Sequence, residues 1–159
     1  MKYCLICIAL AALFTSCNET AKTSDAEQRD TIAADTNLMR IQIPETSCYR
    51  HVRAKDTVTL KVEKFPNVVT GSLVYALHEK DRNKGTLDGV FSGDTLIANY
   101  TFLSEGTTST RQVVFLIEND IATEGYGEMK AEKEKMIFKN IRETDFTKGL
   151  KLQKVSCIE

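Results

Sequence analysis

Hydrophobic residues recur at every second position through most of the chain, and this period limits the fold more than any other feature of the sequence. Val58, Leu60 and Val62 alternate with Thr57, Thr59, Lys61 and Glu63. The same rhythm runs through Val69, Gly71, Leu73, Tyr75 and Leu77, and again through Leu96, Ala98, Tyr100 and Phe102. Side chains of an extended strand point alternately to opposite faces, so each run has one dry face and one wet face. Turn-forming residues separate the runs: Phe65-Pro66-Asn67, Asp81-Arg82-Asn83-Lys84-Gly85, Ser92-Gly93-Asp94, Ser104-Glu105-Gly106 and Asn119-Asp120, at spacings that suit hairpins. Further strands are expected over residues 112–117, 121–128, 136–139 and 150–155, with at most one short helix near 142–147. Sequential short strands without a long helical crossover argue against an α/β fold. They predict an all-β fold, an antiparallel meander of about eight strands closing into a small barrel, because closure removes exposed sheet edges. A β-sandwich is the alternative. Gly71, Gly89, Gly125 and Gly127 fall inside strand patterns, where they are expected to act as bend points.

The N-terminal segment follows a different rule. Met1-Lys2 supplies a positive start, and residues 5–14 (LICIALAALF) form an apolar run. Ten residues are too short to cross ~30 Å of hydrocarbon, but suit the core of a signal peptide. The run ends in Leu13-Phe14-Thr15-Ser16-Cys17, followed at once by Asn18-Glu19-Thr20. This motif resembles the lipobox of bacterial lipoproteins, with Phe14 where leucine is usual. The resemblance implies removal of residues 1–16 as a signal peptide and lipidation of Cys17 with palmitate-type chains. More than one acyl chain makes a lasting membrane anchor. The implied location is the cell envelope, and Asn18 lacks the aspartate of inner-membrane retention, which favours the outer membrane. An ordinary secretory peptide cleaved nearby is the alternative.

Residues 18–37 contain no aromatic side chain and only one large apolar residue, Ile32, so they bury too little to offset their ordering entropy. Residues 17–37 are therefore expected to be a lipidated N-terminus with a flexible tether, holding the domain of residues 38–159 about 25 Å from the bilayer. A short helix over residues 25–34 is the alternative. Of the five cysteines, Cys4 and Cys7 leave with the signal peptide and Cys17 is consumed by lipid. Cys48 and Cys157 remain. In an oxidising envelope this pair predicts a disulfide tying the first strand to the last, closing a loop of about 110 residues and contributing roughly 4–5 kcal/mol. A pair of buried thiols is the alternative.

With strands, tether and paired cysteines placed, residues 48–157 resemble the small lipocalin-like and lysozyme-inhibitor-like barrels found among bacterial lipoproteins. The likeness is architectural. The chain contains no tryptophan, so the Gly-x-Trp signature of lipocalins is absent, and no ligand or inhibitory site carries over.

Candidate chemistry is sparse. Lys+Arg 21 against Asp+Glu 22 gives a net charge of -1, which provides no basic field for nucleic acid. His51 and His78 are the only histidines, and neither stands at ligand spacing from a second donor, so no metal and no other cofactor is expected. Ser72 and Ser92 lie near glycines without a Gly-x-Ser-x-Gly elbow, and no catalytic residue is assigned. Residues 79–85 with Asp88 space oxygen donors as calcium loops do, but Arg82 and Lys84 interrupt them and a solvated turn is the expectation. Residues 130–135 (KAEKEK) are likewise read as a solvated turn. Glu105 and Arg111 flank a glycine-containing turn and are expected to pair across the hairpin mouth, while Tyr75 and Tyr100 share the apolar phase of their strands. Tyr75, Tyr100, Glu105 and Arg111 are thus the candidate ligand-binding residues at a barrel entrance. The expected protein is not an enzyme. It is a membrane-anchored binding module for a small apolar ligand or an envelope protein. The alternative is a filled barrel acting through its surface, for example as an inhibitor of an envelope hydrolase.

Overall fold

The computed structural model describes residues 43–157. The signal segment, the lipobox with Cys17 and the tether lie outside the described residues. Ten strands follow in chain order: β1 Glu45–Arg53, β2 Asp56–Lys64, β3 Val69–Ala76, β4 Asn83–Ser92, β5 Thr95–Ser104, β6 Thr107–Glu118, β7 Ile121–Glu124, β8 Met129–Glu132, β9 Lys135–Phe138 and β10 Lys151–Val155. One 3-10 turn, Ile141–Glu143, precedes the last strand.

Eight of these strands form a closed antiparallel barrel. β1 to β7 pair in sequence as a meander, β7 pairs with β10, and β10 pairs back with β1. The expected meander and closure are both present. Along β2 the buried positions are Val58, Leu60 and Val62, with partly exposed threonine, lysine and glutamate between them. The same inward phase carries Leu73 and Tyr75 on β3, Leu96, Ala98 and Tyr100 on β5, and Val113 and Phe115 on β6. Tyr100, Phe115, Leu60, Leu73, Leu96, Leu152 and Val58 are fully buried, so side chains occupy the middle of the barrel as expected for eight strands. Fully burying each aliphatic side chain contributes about 1.5–3 kcal/mol.

Closure is uneven. β7 and β10 have only four and five residues, and the last β6–β7 pair is Phe115 with Glu124. Beyond it β6 continues from Val114 back to Thr107 without a β7 partner. β1 meets β10 only at Cys48, Tyr49 and Arg50, and the β6–β7 seam is paired only over the half where β1 begins. We call that the entry end, and the opposite end, where β4 and β6 begin, the far end.

The chain between β7 and β10 supplies the next sheet neighbour of β6 where its pairing with β7 ends. β8 and β9 form a hairpin, and β9 pairs in parallel with Thr110 and Arg111 of β6. The Gln112 Oε1 atom accepts from the Phe138 backbone N–H at 3.1 Å, which ties the end of β9 to β6. Val114 also faces outward, yet it is fully buried.

Several local expectations are corrected. The turn placed at residues 81–85 lies earlier, around His78 and Glu79, and Asn83-Lys84-Gly85 are strand residues of β4. The strand expected over residues 121–128 stops at Glu124, after which Tyr126 makes a single bridge to Asp145. The stretch 130–135 is a hairpin whose turn is only Lys133-Glu134. The glycines make room more than bends: a Cβ on Gly89 would lie 2.7 Å from the Ala98 Cβ, and one on Gly125 would lie 2.2 Å from the Thr144 Cγ2. Cys48 and Cys157 are joined by a disulfide with Cα atoms 5.3 Å apart. Because Cys48 stands opposite Val155, the bond staples the β1–β10 seam.

Candidate functional site

The inward phase becomes polar only toward the far end. Arg111 precedes Val113 and Phe115 on the inward face of β6, and Glu124 follows Ala122 on the inward face of β7. Asn83 is opposite Tyr75 on β4, and Tyr100 is opposite Arg111 on β5. The registers of the β3–β4 and β5–β6 pairings bring these residues to one end of the barrel.

The geometry divides them into two linked groups. Around Arg111, the guanidinium carbon lies 5.2 Å from the Tyr75 ring centre, 5.7 Å from that of Tyr100 and 5.7 Å from that of Phe102. Tyr100 stacks on Phe102 at 4.7 Å and meets Tyr75 edge-on at 6.0 Å. Three aromatic faces thus surround one cation, an arrangement favoured by the ring quadrupoles. Around Glu124, which is 6% exposed, the Tyr75 hydroxyl donates at 2.5 Å and the Tyr126 hydroxyl at 3.0 Å. A buried carboxylate requires such donors. Tyr75 belongs to both groups, placing its ring against Arg111 and its hydroxyl against Glu124.

The phenols respond to this environment. Burial pushes the Tyr75 hydroxyl far above its ordinary value, and the negative charge of Glu124 and its hydrogen bond add to the shift. Burial pushes Tyr100 up to about 12, against the opposing charge of Arg111. Tyr126 is pushed up to about 12 by burial and by Glu124. All three are therefore neutral donors at physiological pH.

Among the described residues, three buried side-chain atoms lack any hydrogen-bond partner: Asn83 Oδ1, Tyr100 OH and Arg111 Nε. All belong to inward positions of the far end. Buried polar atoms are nearly always paired, so a cluster of unpaired ones calls for a specific explanation.

Of the four candidate residues, Tyr75, Tyr100 and Arg111 come together and Glu105 does not. Glu105 and Gly106, with φ of 49° and 78°, make a two-residue turn between Ser104 and Thr107. The hairpin is tighter than expected, so residues 107–111 are all strand and Arg111 lies roughly 13 Å from the tip. Glu105 is exposed, and no ion pair joins it to Arg111 among the described residues. Sequence reasoning missed Glu124, Tyr126, Asn83 and Phe102. For Glu124 a signal existed, since a charged residue fell on the same phase as Ala122. Tyr126 had none, because it follows the end of β7.

The entry end has a different cleft. It measures ≈ 190 Å³ and is walled by Tyr49, Val62, Phe91 and Ile117, with Glu45, Lys64 and Asp94 at its edge. The Lys64 ammonium lies 5.3 Å from the Phe91 ring centre. His51 Nδ1 lies 2.9 Å from the Lys151 carbonyl oxygen, and His78 is exposed beside Glu79. Neither joins a cluster. No protein-family model, curated protein or solved structure matches the chain.

Proposed function

We propose that this chain is a lipid-anchored binding module of the bacterial cell envelope, whose barrel holds a small, largely apolar ligand at its far end. The observation that carries this reading is that Asn83 Oδ1, Tyr100 OH and Arg111 Nε, all buried and without a partner among the described residues, fall on inward positions of the end where β6–β7 pairing stops. An isolated unpaired atom costs about 1–3 kcal/mol, and a protein that keeps several in one place is served by a molecule that pairs them. Leu77, Phe102 and Leu150 are only partly buried against the core, and offer apolar surface beside the polar groups. The lipobox-like motif at Leu13-Phe14-Thr15-Ser16-Cys17 supports the anchor and the outer-membrane location.

Native mass spectrometry of the full processed chain, released from detergent micelles, tests this reading. The expected result is an acylated chain with a defined small-molecule adduct that disappears on denaturation and on Arg111→Met substitution. A bare, unacylated mass overturns both the anchor and the ligand. The filled middle of the barrel favours a second reading, a surface-acting interaction protein of the envelope, which an acylated chain without an adduct would support.

A further inference from the structure

The geometry points to a carboxylate as the group bound at the far end: a small amphiphilic monocarboxylate whose oxygens accept from Arg111 and Tyr100, with its stem on Phe102, Leu77 and Leu150. This inference rests on the binding reading above and names the ligand class. Three observations select the charge and shape. Arg111 takes part in no ion pair among the described residues, although it is half-buried among aromatic rings. With those rings around it, what the guanidinium still offers is its N–H edge, where Nε is buried without an acceptor. That edge matches the two coplanar oxygens of a carboxylate. The Tyr100 side chain is 0% exposed and its hydroxyl is unpartnered, supplying a second neutral donor beside the first.

Other head groups fit less well. An ammonium would meet the like charge of Arg111, and the carboxylate that might attract it, Glu124, is already held by the Tyr75 and Tyr126 hydroxyls. A neutral amide or alcohol can donate to Asn83 Oδ1, which a carboxylate cannot, but it brings no charge to a guanidinium that takes part in no ion pair among the described residues. The stem is apolar because the side chains flanking the cluster at that end, Leu77, Phe102 and Leu150, are partly open and hydrophobic.

The test is calorimetric titration of the full-length chain in micelles with hexanoate, hexanamide and hexylamine. Hexanoate is expected to bind saturably at one site, with hexanamide about tenfold weaker or worse and hexylamine without saturable binding. Tyr100→Phe, which removes only the hydroxyl, is expected to weaken hexanoate about three- to tenfold, and Arg111→Lys to weaken it more. If Arg111→Lys does not fold, Tyr100→Phe decides. Equal binding of hexanamide and hexanoate overturns the carboxylate assignment, as does hexanoate binding that Tyr100→Phe leaves unchanged. If hexanoate does not bind while native mass spectrometry recovers a neutral adduct, the ligand class fails and the binding reading stands. If neither appears, both fail.

Discussion

The two ends of this barrel are built from the same strands, yet they solve the problem of termination in opposite ways. At the entry end β6 and β7 are paired, the β1–β10 seam carries a disulfide, and the interior finishes in hydrophobic walls with charges at the edge. At the far end β7 and β10 stop short. The interior there finishes in a guanidinium, a buried carboxylate and phenols, with three polar atoms unpaired. The entry end is therefore covalently stapled, and the far end retains unmet hydrogen-bonding capacity. The difference teaches that a barrel's wall and its chemistry are separable: the inward phase that carries aliphatic side chains through the middle carries buried and half-buried polar ones where β6–β7 pairing stops.

Substitutions break this contrast from either side. The largest effect is expected from Cys48→Ala with Cys157→Ala, which unstaples the entry end and lowers unfolding stability by about 2–5 kcal/mol; urea denaturation measures it, and a change below about 1 kcal/mol would refute the stapling role. Next, Tyr75→Phe removes one of two donors to the Glu124 carboxylate and is expected to cost about 1–3 kcal/mol in the same assay. Alkaline titration sharpens the picture. A phenol whose folded value is raised keeps its stabilising contribution below the unfolded value of about 10 and loses it as pH rises. With Tyr100 and Tyr126 pushed up to about 12, stability should fall between about pH 10 and 12, and tyrosinate absorbance should rise late. Ordinary titration of all the tyrosines near 10 would contradict that environment.

Smaller effects test the details. Lys64→Met at the entry end removes a solvent-exposed cation from the Phe91 ring and is expected to change stability by less than about 1 kcal/mol. Tyr100→Phe should leave the stability of the ligand-free chain within about 0.5 kcal/mol, since its hydroxyl has no partner to lose. A cost comparable to that of Tyr75→Phe would mean that the hydroxyl is already satisfied, and would erase the asymmetry between these two neighbouring phenols.

How much of this was legible beforehand differs between wall and site. The alternation of Val58, Leu60 and Val62, or of Leu96, Ala98 and Tyr100, prescribes strands with one buried face. Two cysteines bracketing the domain prescribe a staple between first and last strands, because pattern and pairing parity are properties of local sequence. The placement of Tyr75, Tyr100 and Arg111 on inward phases was readable for the same reason. Glu105 was misplaced because a two-residue turn and a longer one share the same Glu-Gly sequence, and only hydrogen-bond register distinguishes them. Asn83 looked like a turn residue because its neighbours are polar, although tertiary pairing with β3 makes it strand.

The sequence by itself determined the all-β class, the meander, the cysteine pair and the inward position of most site residues, since each follows from period-two patterning or from residue chemistry. Only the tertiary structure decided where the ring stops closing, that Glu124 is held by Tyr75 from 49 residues away, that Tyr126 joins it, and that the unpaired atoms gather at one end. Those facts depend on which distant strands are neighbours and by how many residues they are offset. Nothing in a local pattern encodes such an offset, because it is set by packing the whole barrel at once.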